Sequence, residues 1–249
     1  MTDAHCHVSC GDPSVRELLV GRDFFGVHPW ETLGESKVES EKLKVVEELR
    51  ARLIANPSAG VGEIGLDRLK CRDIPPLMRE VFEAQLALAF ELRRPVVLHG
   101  AKCWGQVVKA IVNYELRIMN HESGDGKKPA FLFHGFSRSD GLIPDIVRLG
   151  GFISVGPAVL NDHAVNYREL VRKIPMDRLL VETDRTDGTD VSIYDVLART
   201  AELRGISAAE LERITDVNVD AFMRNMVEYP YGVKRRVQKR VLRPQLFCG

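Results

Sequence analysis

Short apolar runs alternate with longer segments of helical periodicity along most of the chain. Apolar runs of four or five residues between turn signals are typical of buried parallel strands, and they predict strands at 2–8, 23–27, 59–64, 95–99, 130–134, 151–155 and 179–183. The segments between them predict helices at 13–20, 38–55, 76–93, 104–119, 140–149, 164–173 and 191–204, with a last helix at 207–227. Such alternation predicts right-handed βα units and a parallel sheet.

The predicted fold class is α/β, a TIM-like β/α barrel formed by residues 1–249 as one domain. The length of 249 residues suits such a barrel, and no linker or internal repeat divides the chain. Seven strands are predicted instead of eight, and the gap lies between His7 and His28. Either one β/α unit near the N-terminus is lost or distorted, or the pattern hides a strand.

Residues able to bind a metal end five of the predicted strands. They are His5, His7, Glu63, His99, His134 and Asp184. A single histidine at a strand end is more often a structural residue. Placement of such residues on five separate strands is instead the layout of a catalytic mouth on a β/α barrel. The pattern therefore predicts a metal-dependent hydrolase.

The spacing of these residues predicts two neighbouring metal sites. His5 and His7 alternate by two on one strand, so both imidazoles face the same side. Because Glu63 has two carboxylate oxygens, it can bridge two ions. We expect His5, His7, Glu63 and Asp184 to form one site, and Glu63, His99 and His134 to form the other.

Imidazole and carboxylate ligands favour two Zn²⁺ ions, with Mn²⁺ or Mg²⁺ as alternatives. Two ions about 3.5–4 Å apart can activate a water molecule and stabilise the oxygens of an in-line phosphoryl displacement. Asp184 would orient that water or accept its proton, so Asp184 and Glu63 are the predicted catalytic residues.

Bulk properties indicate an ordinary globular protein. With 45% hydrophobic and 28% charged residues, the composition excludes disordered and fibrous classes. No apolar stretch is long enough to span a bilayer, and no secretory signal is apparent. The five cysteines are odd in number and lack paired spacing, which favours free thiols and a cytoplasmic location. No membrane contact and no obligate protein partner are expected.

The C-terminal tail, about 232–249, differs from the rest in charge. It carries six basic residues and no acid, which leaves 29 basic and 35 acidic residues elsewhere. The tail either contacts nucleic acid phosphates or packs Val237, Val241 and Leu242 on the domain. A single short basic run is a weak signal for nucleic acid binding, so the second interpretation is favoured.

Six ordered motifs resemble the TatD family of metal-dependent DNases, within the amidohydrolase superfamily. They are Asp3-Ala4-His5-Cys6-His7, Gly26-Val27-His28-Pro29, Gly62-Glu63-Ile64-Gly65-Leu66-Asp67, Pro95-Val96-Val97-Leu98-His99, His134-Gly135-Phe136-Ser137 and Leu180-Val181-Glu182-Thr183-Asp184. Asn218, followed by Ala221-Phe222, is similar to the family's C-terminal pattern. The resemblance covers roughly residues 2–225.

The resemblance implies the metal ligands given above and hydrolysis of DNA phosphodiesters, usually in the cytoplasm. It also directs attention to three substrate-contact candidates. His28 ends a predicted strand at the same mouth. Lys102 lies one position beyond the usual family arginine. Arg185 replaces part of the family's Ala-Pro and either contacts phosphate or pairs with Asp187.

Three functions remain compatible with this sequence. The first is a TatD-like phosphodiesterase acting on DNA ends or single strands. The second is an amidohydrolase that cleaves an amide, ester or lactone with the same metal site, because one barrel hosts many chemistries. The third is a non-catalytic adaptor that keeps the barrel, which the complete set of candidate ligands disfavours.

Overall fold

Eight parallel strands follow one another around a ring in the computed structural model, which describes residues 1–33, 39–121, 127–188, 191–224 and 227–228. The ring strands are β1 (Thr2–Cys6), β2 (Arg16–Leu19), β3 (Phe24–Phe25), β4 (Gly60–Asp67), β5 (Val96–Ala101), β7 (Phe131–Phe133), β8 (Phe152–Val155) and β9 (Leu179–Val181). A separate antiparallel pair consists of β6 (Lys127–Lys128) and β10 (Val227–Glu228).

Helices and short turns connect the later strands. The α-helices are α1 (Glu39–Ala55), α2 (Pro76–Leu92), α3 (Trp104–His121), α4 (Ile143–Arg148), α5 (Val165–Lys173), α6 (Ile193–Arg204) and α7 (Ala208–Met223). Single 3-10 turns span Pro29–Thr32, Asp140–Leu142, Pro157–Leu160 and Met176–Arg178. Among the described helices, none is long and apolar enough to cross a bilayer.

Backbone hydrogen bonds close the ring. Six strands, from β3 to β9 without β6, form one parallel sheet, and β1 pairs with β2. A bridge between Val20 and Phe24 joins β2 to β3. On the other side, the Asp184 amide donates to the His5 carbonyl at 3.0 Å, which joins the continuation of β9 to β1. The predicted β/α barrel is therefore confirmed.

The helix predicted at 13–20 is wrong, because residues 16–19 form strand β2. Thr2 and Asp3 of β1 pair with Arg16 and Glu17, and Leu18 is buried in an apolar cluster. A four-residue segment is too short to show a clear hydrophobic periodicity, so its pairing with β1 decides its conformation. The eighth strand is thus present. The N-terminal distortion is a loss of helices, because residues 7–28 are all described and contain no helix.

The chain departs from prediction again at its C-terminal end. The helix predicted at 207–227 ends at Met223, and Val227–Glu228 pair with the short strand β6. Lys128 of β6 is buried, and its ammonium pairs with Glu115 of α3 at 2.7 Å. The basic tail, about 232–249, lies outside the described residues.

Helix α7 covers the N-terminal opening of the barrel. One apolar cluster takes a residue from seven of the eight ring strands and adds two from α7: Ala4, Leu18, Phe24, Val97, Leu132, Phe152, Leu180, Val219 and Phe222. Convergence of that many strands places the cluster inside the barrel. The Phe222 ring stacks on Phe24, with centroids 5.9 Å apart, while Asn218 Nδ2 donates to the Leu179 carbonyl at 2.9 Å. Asn218 and Phe222 therefore hold α7 against the barrel.

Phe222→Ala is expected to lower the free energy of unfolding by about 3–5 kcal/mol, because it leaves a cavity among closely packed strands. Val217→Ala is the matched control, since Val217 lies on the same helix with 62% exposure. The control should change stability by no more than about 0.5 kcal/mol. Urea denaturation measures both, and equal effects would contradict the assigned role of Phe222.

Candidate metal centre

Acids and histidines from five ring strands meet at the C-terminal end of the barrel. The six residues predicted as metal ligands all lie there: His5 in β1, Glu63 in β4, His99 in β5, and His7, His134 and Asp184 just beyond β1, β7 and β9. Parallel strands end at the same edge, so residues distant in sequence become neighbours. Three overlapping clusters could each hold a metal ion, and one of them includes His28: His5 with His7 and Asp184, His5 with Glu63 and His134, and His28 with Glu63 and His99.

One oxygen of Glu63 faces the N-terminal histidines. Glu63 Oε2 lies 3.4 Å from His5 Nε2 and 3.5 Å from His7 Nε2. Asp184 Oδ1 lies 3.6 Å and 3.4 Å from the same two nitrogens. These four atoms enclose a space bounded by two imidazoles and two carboxylates, which is a set of donors that suits Zn²⁺ or Mn²⁺.

The other oxygen of Glu63 faces a second set of histidines. Glu63 Oε1 lies 2.6 Å from His134 Nε2, 3.4 Å from His28 Nε2 and in hydrogen-bond contact with His99 Nδ1. His99 Nδ1 and His134 Nε2 are 3.4 Å apart. The carboxylate therefore separates two groups of nitrogen donors, which is the arrangement that a bridging ligand requires.

The surroundings of His5 indicate whether this arrangement fits a metal. Its side chain is completely buried, yet neither ring nitrogen has a hydrogen-bond partner among the described residues. Buried polar atoms without partners are rare and costly. His5 Nε2 points toward Glu63 Oε2 and Asp184 Oδ1, and a cation between these atoms would satisfy it. The residues present therefore fit a metal.

The electrostatics of the cluster favour a cation as well. Burial alone would raise the pKa of Glu63, but the charge and hydrogen bond of His134, together with contacts from His28 and His5, outweigh burial and hold that pKa well below its usual range. Contacts with Asp184 and Glu63 raise the pKa of His7 to about 9. Glu63 is thus ionised at neutral pH, and His7 carries a proton that metal binding would release.

Asp67, to which the sequence assigned no role, orients His99. Its Oδ2 accepts hydrogen bonds from His99 Nε2 at 2.8 Å and from Trp30 Nε1 at 2.8 Å. His99 Nε2 therefore carries a proton, and Nδ1, which faces Glu63, is the nitrogen that a metal ion would bind. A carboxylate in this position fixes the tautomer and the ring of a metal-binding histidine. The sequence feature that could have indicated this role is that Asp67 is a second acid on the strand that carries Glu63.

Glu182 lies beside His134 just beyond β9. It is completely buried, its Oε1 accepts from the Gly135 amide at 2.6 Å, and the same oxygen lies 3.7 Å from His134 Nδ1. The His134 ring thus lies between the carboxylates of Glu63 and Glu182, although Nδ1 makes no hydrogen bond among the described residues. Asp3 also fixes the end of β9, since it accepts from the Thr183 amide and hydroxyl at 3.0 and 2.6 Å.

Gly65 allows the strands carrying Glu63 and His99 to approach closely. It pairs with His99 across β4 and β5, and its φ of 155° lies in a region that favours glycine. A Cβ atom at this position would come within 1.9 Å of the His99 carbonyl oxygen. A larger residue would therefore displace His99 from the cluster.

The three substrate-contact candidates have different surroundings. His28 faces the cluster, with Nε2 at 3.4 Å from Glu63 and its ring centroid 4.7 Å from that of His99. Lys102 is exposed directly after β5. Arg185 directs its guanidinium to the Val191 carbonyl at 2.5 Å. The His28 side chain thus contacts predicted ligands directly, whereas Arg185 contacts His7 through its backbone carbonyl, which accepts from the His7 amide at 2.8 Å.

A groove of about 780 Å³ opens at the same end of the barrel, although none of the six predicted ligands lines it. It is lined by the loops after β7 and β8 and by α5, including Ser137, Arg138, His163, Asn166, Tyr167 and Lys173. Ser137 is three residues beyond His134, so the groove lies at the same end of the barrel. Arg138 is exposed and makes no hydrogen bond or ion pair with any residue in the described part of the chain.

Comparison with known proteins defines the class. The profile of the TatD related DNase family matches residues 21–224. The metal-dependent hydrolase YabD of Bacillus subtilis, itself uncharacterized, is 26% identical over 84% of this chain and 81% of its own length. The 3′-5′ ssDNA/RNA exonuclease TatD of Klebsiella pneumoniae is 28% identical over 78% of this chain and 73% of its own length.

The fold agrees with this result. The crystal structure of YjjV, a TatD homologue from Escherichia coli, superposes with a TM-score of 0.64 at 24% identity, over 85% of this chain and 78% of that protein. The family match and the related metal-dependent hydrolase YabD make this chain a metal-dependent hydrolase. The chain belongs to the TatD family, as its sequence motifs predicted.

Asp67→Asn is expected to weaken the metal site at His99 by about 10- to 100-fold, because the amide no longer fixes the His99 tautomer. Titration of the metal-free protein with Zn²⁺ against a competing chelator measures this affinity. Asp73→Asn is the control, since Asp73 is an exposed acid in the following loop. Unchanged affinity in Asp67→Asn would contradict the orienting role.

Proposed function

We propose that this protein is a dinuclear metal-dependent nuclease that hydrolyses phosphodiester bonds of single-stranded DNA or DNA ends. The observation that carries the proposal is the Glu63 carboxylate, whose two oxygens face two separate groups of histidines. In this proposal His5, His7, Glu63 and Asp184 hold one ion, and Glu63, His99 and His134 hold the other. Zn²⁺ is favoured by the donors, with Mn²⁺ or Mg²⁺ as alternatives.

The ions would supply Lewis acidity and lower the pKa of water. The exposure of the acidic side chains indicates which of them could act on water. Glu63 is 3% exposed and cannot reach bulk solvent, whereas the Asp184 side chain is 45% exposed at the edge of the cluster. This difference supports the role proposed for Asp184, which is to orient the attacking water and accept its proton. Asp67 keeps the imidazole of His99 in position, and Glu182 supplies a carboxylate beside His134.

Two observations support a nucleic acid strand as substrate. The related Klebsiella pneumoniae protein is a 3′-5′ exonuclease of ssDNA and RNA. In addition, the groove at this end of the barrel exposes the guanidinium of Arg138, which has no partner among the residues that the structure describes. A cation beside a hydrolytic centre suits a phosphate of the strand, which is held by charge and not by base sequence. His28, Lys102 and Arg185 are secondary candidates for such contacts.

The free thiols support a cytoplasmic location for this activity. Cys6, Cys10, Cys71 and Cys103 form no disulfide within the described part of the chain, and thiols persist in reducing compartments.

Asp184→Asn is expected to lower kcat by about 10²- to 10⁴-fold, because the amide cannot accept the proton of water. The assay follows a 3′-labelled single-stranded oligonucleotide after metal removal and again after addition of Zn²⁺, Mn²⁺ or Mg²⁺. Asp187→Asn, an exposed acid three residues away, is the control and should retain activity. The product ladder and a circular single strand distinguish exonuclease from endonuclease cleavage. If the metal-loaded protein cleaves neither substrate, the nuclease proposal is wrong.

Arg138→Ala is expected to raise KM and to reduce the slope of log affinity against log salt by about one, because one phosphate contact is lost. Arg148→Ala is the control, as Arg148 lies on α4 in an ion pair with Asp145. Fluorescence anisotropy of a labelled oligonucleotide at several salt concentrations gives both slopes. Equal slopes in the two variants would show that Arg138 makes no contact with a phosphate of the substrate.

A further inference from the structure

A large aromatic side chain stands at the edge of the metal centre and no step proposed above uses it. Trp30 is 42% exposed, whereas Trp104, the other tryptophan of the chain, is 3% exposed. The Trp30 ring lies edge to face with His28, with centroids 4.8 Å apart, and its centroid is 6.4 Å from that of His99. An exposed indole therefore borders the candidate metal ligands.

The indole is held in place. Its Nε1 donates to Asp67 Oδ2 at 2.8 Å, and the same oxygen accepts from His99. The Trp30 amide donates to His28 Nδ1 at 3.2 Å within the turn that follows β3. The position of the ring is thus tied through one carboxylate to the position of a candidate ligand. A ring fixed before binding loses little conformational freedom when it receives a flat partner.

The charge next to the ring also suits a nucleotide. The Lys70 ammonium lies 3.4 Å from the centre of the Trp30 ring, and the Lys70 side chain is exposed. Lysine has a flexible stem and a compact charge. Its ammonium is therefore able to move from the ring to a phosphate when a base covers the indole.

We propose that Trp30 is a stacking platform for the terminal nucleobase of a single strand, placed so that the adjoining phosphodiester lies over the His5, His7, Glu63, His99 and His134 cluster, with Lys70 pairing with a phosphate. The proposal rests on the nuclease function proposed above and specifies its substrate contact. Because every base has a π face, stacking of this kind tolerates any sequence. Stacking on Trp30 requires a base at the terminus of the strand.

Trp30→Phe and Trp30→Leu form a matched pair, since both lose the indole hydrogen bond to Asp67 and only Phe keeps an aromatic ring. On an oligonucleotide with an intact terminal base, the Leu variant is expected to have a KM about tenfold higher than the Phe variant. On an oligonucleotide with an abasic terminal nucleotide, the two variants should have the same KM. Equal KM values on the intact oligonucleotide would overturn the proposal.

Binding without catalysis provides a second measurement. In a Trp104→Phe background, Trp30 is the single tryptophan, and its fluorescence reports contact with a base in the metal-free protein. An intact oligonucleotide should quench this fluorescence, and one with an abasic terminus should quench it much less. Equal quenching by the two would also overturn the proposal.

The two proposals fail in different ways. If the metal-loaded wild-type protein cleaves no oligonucleotide, the nuclease function is wrong whatever the fluorescence shows. If it cleaves them and the Phe and Leu variants behave alike, the nuclease function stands and the platform is wrong.

Discussion

The buried charge of Glu63 is the constraint on which the rest of the site depends. A carboxylate that is 3% exposed is costly unless cationic or hydrogen-bonding partners surround it. Here histidines from β1, β5 and β7 surround both oxygens. Two of these histidines have a further acidic neighbour, since Asp67 accepts a hydrogen bond from His99 and Glu182 lies beside His134. The site is therefore a network of alternating acids and imidazoles centred on one strand of the barrel.

The barrel supports this network through two distinct apolar layers. The inner cluster, sealed by α7, holds the N-terminal ends of the strands together. A larger cluster packs the helices on the outside of the sheet. The polar residues are thereby confined to the C-terminal end, where strand ends converge and loops can vary without loss of the core. Stability and chemistry are separated along the barrel axis.

Much of this arrangement could be predicted from sequence, for identifiable reasons. Strands at 59–64, 95–99 and 151–155 are short apolar runs with clear boundaries, and parallel strands place their C-terminal residues at one edge. The positions of His5, Glu63 and His99 at the ends of such runs are therefore enough to assign them to one mouth. The strand Arg16–Leu19 could not be predicted, because four residues between turns carry no decisive period, and its pairing with β1 is a long-range property.

Sequence by itself thus determined the fold class, the order of the strands that end in candidate ligands, and the family. Tertiary structure decided which oxygen of Glu63 faces which histidines, that Asp67 fixes His99, and that Trp30 is anchored at the rim of the site. The physical reason is the range of the interactions. Strand patterns and strand-end positions depend on neighbours in sequence, whereas a hydrogen bond from Trp30 to Asp67 joins residues 37 positions apart. Only the closed ring of strands brings such residues within bonding distance.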